Sequence, residues 1–174
     1  MYKTIKDIIY FSNYVNIYDI YNQIQEQSRD YNLFIKFKIS DTFDGRLNFL
    51  ILHLSLIMFF LNSHGKSGKN ISNKLIKILL FEIDASLREK GLGDKIIERK
   101  VLEMKNSLLS KSQIYKRALI NNDYLKKVVA KHIYNNSKIN IKYINMIVDY
   151  IETQKEFLSK VDLLFYKKQK IFIN

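Results

Sequence analysis

The chain has 174 residues, 29 of them basic and 17 acidic, for a formal net charge of +12. That length suits one domain burying roughly 70% of its unfolded surface, and a 47% hydrophobic share with 12 Tyr and 11 Phe excludes a disordered chain. The lack of cysteine excludes disulfides, thiolate metal sites and a cysteine nucleophile, and three histidines leave little for zinc.

The first fifteen residues mix Lys3, Lys6 and Asp7 with aromatics. They form neither the apolar core of a secretory signal nor an Arg-rich transit peptide, so a cytoplasmic location is expected. Ile5, Ile9, Tyr14, Ile17, Ile20, Tyr21 and Ile24 then repeat at helical spacing. From Leu33 to Ile39 the odd positions are apolar while Lys36 and Lys38 point the other way, which is strand periodicity. With only the tail Lys170 to Ile173 as a candidate ladder partner, an extended linker is expected there.

Asp41 stands before a long apolar run and reads as an N-cap, its carboxylate accepting from first-turn amides. The run from Leu47 to Leu61 would span roughly 22 Å as a helix, short of a hydrocarbon core about 30 Å thick, and predicts a core helix. Ser63 to Asn70 predicts a flexible helix–helix connection. Asn70 would cap a helix from Ile71 to Lys90, which Gly91 ends as a left-handed C′ residue. Gly93-Asp94 turns the chain and Asp94 would cap the next helix. Beyond it no Gly or Pro occurs, so Asn121-Asn122-Asp123 and Asn135-Asn136-Ser137 must supply the turns. They divide the remainder into three helical lengths. One has an apolar face of Ile97, Val101, Met104, Leu108, Tyr115 and Leu119; the last has Ile144, Ile147, Val148, Ile151, Leu158, Val161 and Phe165. The expectation is a single all-α domain over 1–174, a bundle of about six or seven helices with a short extended segment near 33–39.

Charge is unevenly distributed. Residues 1–94 carry 12 basic and 10 acidic side chains; the other 80 carry 17 and 7. Such asymmetry suits an anionic partner such as ribosomal RNA or lipid headgroups. Yet 24 of the 29 cations are Lys, whereas readers of DNA lean on the planar fork of Arg. An Ile-, Asn- and Lys-rich composition is also what an AT-rich coding sequence writes, and DNA is not an expected partner.

Few chemical motifs survive scrutiny. Ser63-His64-Gly65-Lys66-Ser67-Gly68-Lys69-Asn70 lacks the first glycine and the magnesium-binding hydroxyl of a phosphate loop, and no strand precedes it. His53 lies inside an apolar helix and reads as a hydrogen-bonded core histidine. Glu82 falls on the same helical face as Ile71, Leu75, Ile78 and Leu79. It is therefore expected to be buried and paired with Arg46 or His53, a proton-handling acid being the alternative.

Asp41-Thr42-Phe43-Asp44-Gly45-Arg46, with Leu52-His53-Leu54 following, resembles the ubiquinol–cytochrome c chaperone family, whose members carry P-D-T-x-D/E-G-R-F and then L-H. Leu87-Arg88-Glu89-Lys90-Gly91-Leu92-Gly93-Asp94 is similar to the family's L-R-E-M-G-V-G-D, and Glu82 and Asp84 match its acid–x–acid pair. Tyr21 to Arg29, Phe34, Tyr115 and Leu119 extend the resemblance over about 17–135, leaving 136–174 as a C-terminal helical extension. Ser40 replaces the family's proline, and Leu108-Leu109-Ser110-Lys111 stands where the family has F-Y-G-R, which costs a bidentate fork at Lys111.

The resemblance implies an all-helical, non-enzymatic assembly factor of the ubiquinol–cytochrome c reductase complex. Its implied partners are newly made cytochrome b, the ribosome or a small partner protein, and peripherally an anionic inner membrane. No catalytic residue, cofactor or metal is implied. The matched residues Asp41, Thr42, Asp44, Gly45, Arg46, His53, Glu82, Asp84, Arg88, Glu89, Gly91, Gly93, Asp94 and Tyr115 become structural or client-binding candidates. Among these, Gly45 is expected to permit a close helix approach and Arg46 to pair with Glu82 or Asp44. A basic helical module docking on ribosomal RNA or anionic membrane without chaperone activity is the alternative. Client binding would need exposed apolar surface, with Tyr10 to Tyr21 and Met58-Phe59-Phe60-Leu61 as the candidates.

Overall fold

The computed structural model describes residues 17–161 and 170–173. The expected helical positions Ile5, Ile9, Tyr14 and Phe165, and the candidate client surface from Tyr10 to Asn16, lie outside the described residues. Among the described residues there are seven helices and no strand: α1 Ile17–Arg29, α2 Tyr31–Phe37, α3 Phe43–Ser63, α4 Gly65–Glu89, α5 Asp94–Ala118, α6 Asn122–His132 and α7 Ile141–Leu158. The all-α expectation holds.

Helix α3 is the axis of the bundle, packing against α1, α4, α5 and α7, while α6 packs on α5 and α7. Residues 51–57 are all buried, including Ser55 and His53. The whole helix of 21 residues, longer than its apolar run, is long and apolar enough by composition to cross a membrane. The burial of its middle on all sides identifies it as the core helix of this bundle.

The expected extended linker is instead a helix, α2, with Leu33, Phe34 and Phe37 facing the core. Asp30 caps it, accepting from the Asn32 amide, and Lys38 ends it at φ 55°. Leu33, Phe34 and Phe37 stand at i, i+1 and i+4 on one helical face, which keeps Leu33 and Phe37 of the alternating set, adds Phe34 and leaves Ile35 exposed. The tail at 170–173 forms no ladder. The Ile171 amide donates to Gln23 and the Ile173 amide to the Gln154 side chain, which donates back to the Ile173 carbonyl. Ile171 and Phe172 are thereby buried, and with the inward face of α7 they belong to the hydrophobic core.

Helix α4 starts at Gly65, so Asn70 lies inside it and caps nothing. No flexible connection exists here: the chain turns from α3 to α4 through His64 alone. A Cβ on Gly68 would strike the Leu61 carbonyl, which is why that corner needs glycine. The other end of α4 follows expectation, with Gly91 at φ 75° just past the Lys90 cap. Asn121 caps α6, and Asn135 and Asn136 take left-handed φ before α7. The predicted faces of α5 and α7 turn inward: Ile97, Leu108, Tyr115, Ile147 and Ile151 are all buried.

Candidate functional site

The motif segment at 41–46 builds the entry into α3. Thr42, not Asp41, is the N-cap: its Oγ1 accepts from the Gly45 amide at 3.1 Å. Asp41 is one residue too early to cap and instead takes Arg46 in a two-pronged grip, Nε at 2.5 Å and Nη2 at 3.0 Å. That pairing lowers the Asp41 carboxyl below the usual range and raises the Arg46 guanidinium. The expected partners of Arg46, Glu82 and Asp44, are thus displaced by a residue five positions upstream. Gly45 does permit a close approach, but to the backbone of the preceding segment: a Cβ there would enter the Ser40 carbonyl.

The second motif stretch builds the α4–α5 corner. Arg88 Nε reaches Asp84 at 2.5 Å and Nη1 reaches Asp94 at 2.6 Å, clamping the last turn of α4 to the first residue of α5. Both bonds raise the Arg88 guanidinium further. Gly93 holds the N-cap position, so Asp94 is the first helical residue rather than the cap, placed to favour the helix N-terminus. Glu89 is exposed beside this corner.

Glu82 is exposed, not buried. Its Oε2 accepts from the Tyr21 hydroxyl at 2.9 Å and from Gln25 Nε2 at 2.6 Å, and neither Arg46 nor His53 reaches it. Burial and the Glu82 charge both push the Tyr21 phenol upward, so it stays protonated as the donor. Tyr21 and Gln25 sit one turn apart on α1, a spacing legible in the sequence though their partner was not.

The motif residues meet at two open grooves. One, of about 430 Å³, runs between α1, α3 and α4 over Leu47, Leu50, Leu79, Ile83 and Leu87. The other, of about 850 Å³, lies between α3, α5 and the turn after α6, and is more polar, with Thr42, Asp44, Asn48, Ser107 and Lys111 on its walls. Phe43 borders both and is 72% exposed. Lys111, standing for the family's Arg, donates to Asn48 Oδ1 at 2.6 Å, and burial lowers its ammonium. Of the candidate stretch at the end of α3, Leu61 is buried while Met58, Phe59 and Phe60 pack half-buried against the core.

Two motif residues are core. His53 is fully buried; Nδ1 donates to the Phe49 carbonyl and Nε2 accepts the Tyr150 hydroxyl proton, both at 2.8 Å. Gln27 Nε2 donates to the same Tyr150 oxygen at 2.9 Å, tying α1 to α7 and α3. Burial lowers the His53 pKa to about 4, so it is a neutral strut as expected. Tyr150 and Gln27 were not identifiable from sequence. Tyr115 is also fully buried, its ring edge-on to His132 at 5.4 Å, and burial raises its phenol.

This is a helical bundle whose motif residues build corners, caps, core struts and two open grooves. Among the described residues no three His, Asp or Glu side chains cluster as metal ligands. The family model described as ubiquinol-cytochrome C chaperone matches residues 36–166, most of the chain, and this protein belongs to that family. The match continues past Asn135 through α7, and begins later than Ile17. Human and mouse ubiquinol-cytochrome c reductase complex assembly factor 1 are each 17% identical over 144 residues, which are 82% of this chain. The chain spans about half the length of those relatives, 48% and 49% respectively. In fold it is similar to the crystal structure of the Cbp3 homolog from Brucella abortus, with a TM-score of 0.72 at 20% identity, covering 84% of this chain and 81% of that one.

Proposed function

We propose that this protein is a non-enzymatic assembly chaperone of the ubiquinol–cytochrome c reductase complex and that it binds newly made cytochrome b. The observation that carries this reading is the family match across residues 36–166, which includes α3, both motif corners and α7. The geometry supports it: the motif residues are spent on architecture and on groove walls, and among the described residues no nucleophile, base and orienting group converge. Work in the cytoplasm, in peripheral contact with the inner membrane, follows from the same reading. A ribosome or a small partner protein would bring the client.

The test is depletion in the source organism followed by a reduced-minus-oxidised spectrum of its membranes. Selective loss of this complex's b- and c-type haem signals, with other oxidases intact, is expected. An unaltered spectrum would overturn the reading.

A second reading rests on the excess of 10 basic over acidic side chains in residues 95–174. A module that merely docks on ribosomal RNA or anionic lipid would release its target steeply as salt rises, whereas an apolar grip on a client would not.

A further inference from the structure

The groove between α1, α3 and α4 has the makings of a docking site. Its floor is aliphatic, formed by Leu47, Leu50, Leu79, Ile83 and Leu87, and it is an open trough rather than an enclosed cavity. A trough of about 430 Å³ suits a segment lying across it. At its lip stands Phe43, the first residue of α3, which leaves 72% of its surface in water. A single exposed aromatic needs no explanation, but one that borders an apolar trough is placed like an interface anchor.

The rim gives the occupant's charge. Arg29, Arg46, Lys90 and Glu82 line it. Glu82 already accepts two hydrogen bonds from Tyr21 and Gln25, and Arg46 is held by Asp41. Arg29 and Lys90 belong to none of the ion pairs among the described residues. Tyr21 and Gln25 are neutral donors and leave the Glu82 charge in place. With Arg46 balanced by Asp41, Arg29 and Lys90 give the rim a small positive excess around an apolar floor, complementary to carboxylates flanking an apolar helix face.

We propose that this trough receives an amphipathic helical segment of a partner polypeptide, its apolar face on the aliphatic floor and its flanking carboxylates toward Arg29 and Lys90. This rests on the chaperone reading in that the segment belongs to the client. The groove beyond Phe43 shares Leu47, Ile83 and Leu87 with the trough but sets Thr42, Asn48, Ser107, Asp44 and Glu103 among its lysines, so its apolar surface is interrupted by polar groups.

The test uses the full chain and a synthetic, fluorescently labelled helical peptide with a leucine face flanked by Glu, against the same helix flanked by Lys. Anisotropy titration is expected to show the Glu-flanked peptide binding about tenfold tighter. Phe43→Ser, an exposed position, should weaken binding about tenfold at an unchanged melting temperature. The double variant Arg29→Glu, Lys90→Glu should reverse the preference. Equal binding of both peptides, or full binding by all variants, would overturn the proposal. A cellular arm separates it from the chaperone reading. In depleted cells, Phe43→Ser combined with the charge reversals should fail to restore the reductase haem signals. Full restoration would remove the trough's role and leave the chaperone reading intact. Depletion without any haem phenotype would remove the chaperone reading while the peptide titration still decides the trough.

Discussion

His53 on α3 and Tyr150 on α7 are 97 residues apart in sequence and joined by a 2.8 Å hydrogen bond in the centre of the bundle. The relay runs in one direction: Gln27 donates to Tyr150, Tyr150 to His53, and His53 to the Phe49 carbonyl. Phe172 and Phe49 pack edge-on against the imidazole from either side of the sequence, at 5.2 and 4.4 Å. Tyr150→Phe keeps the ring but leaves a buried imidazole nitrogen and a buried amide donor unpaired. Such orphaned groups cost about 1–3 kcal/mol each. With two such groups, urea unfolding should show a loss of about 2–6 kcal/mol, and an unchanged midpoint would mean that water replaces the hydroxyl.

Stability should depend on pH through the same histidine. Unfolded, His53 takes a proton near its ordinary value of 6.5; folded, burial lowers that to about 4. Between these values the unfolded chain holds more protons, so acidification favours it. Stability is full above pH 6.5 and falls as pH drops toward 4. His132, lowered by burial and by Lys111 and Lys131, acts in the same direction. Unfolding at pH 7 and pH 5 should differ by on the order of 2 kcal/mol from His53 alone. His53→Gln should flatten the profile, and an equally steep one would assign the loss to other groups.

Gly45 at the start of α3 and Gly68 on α4, packed against the end of α3, should behave unlike Gly65. A Cβ on Gly45 or Gly68 meets a backbone carbonyl, that of Ser40 or Leu61, which cannot step aside as a side chain would. Alanine at either position should cost about 1–3 kcal/mol or more. At Gly65 the space is open and only φ 67° is unfavourable, so alanine there should cost about 1–2 kcal/mol. Thermal melts of the three variants give the order directly.

What was legible in the sequence follows range. The turn at Asn121-Asn122-Asp123, Gly91 as a left-handed stop, and the inward faces of α5 and α7 rest on neighbours within a turn or two, and a single chain displays these. Residues 33–39 misled because alternation and a two-turn helical face share Leu33 and Phe37. Ile35, 54% exposed, is the residue that tells them apart, and only the fold shows it. Glu82 misled differently. Ile71, Leu75, Ile78 and Leu79 on its face are buried, but at the next turn that face opens into the trough, and a helical wheel has no end. Arg46 had three carboxylates of suitable sign within reach of argument, and charge alone does not choose among them.

Arg46→Leu should therefore leave the melting temperature nearly unchanged. Its side chain is 59% exposed and that of Asp41 46% exposed, so removing one strands no buried charge. Water solvates Asp41 in its place. A large fall would show that the Arg46–Asp41 pair holds the entry of α3 against the Ser40 carbonyl. The Arg88 clamp on Asp84 and Asp94 is similarly exposed, and its loss should be small and further reduced by salt.

Tyr115 makes the opposite case, a motif residue whose polar atom stabilises nothing visible. Its hydroxyl is buried without a hydrogen-bond partner among the described residues, as is His132 Nδ1 on the neighbouring helix. Burying an unpaired hydroxyl costs about 1–3 kcal/mol, while the ring alone supplies the packing on His132. Tyr115→Phe keeps the ring and removes the cost, so urea unfolding should show stability unchanged or higher by about 1 kcal/mol. Tyr115→Ala, which empties the site, should lose about 3–5 kcal/mol. A loss of 1 kcal/mol or more in the Phe variant would mean that a buried water joins the hydroxyl to His132 Nδ1. In depleted cells the Phe variant should restore the reductase haem signals fully, because the ring fills the α5–α6 interface and the hydroxyl faces neither groove.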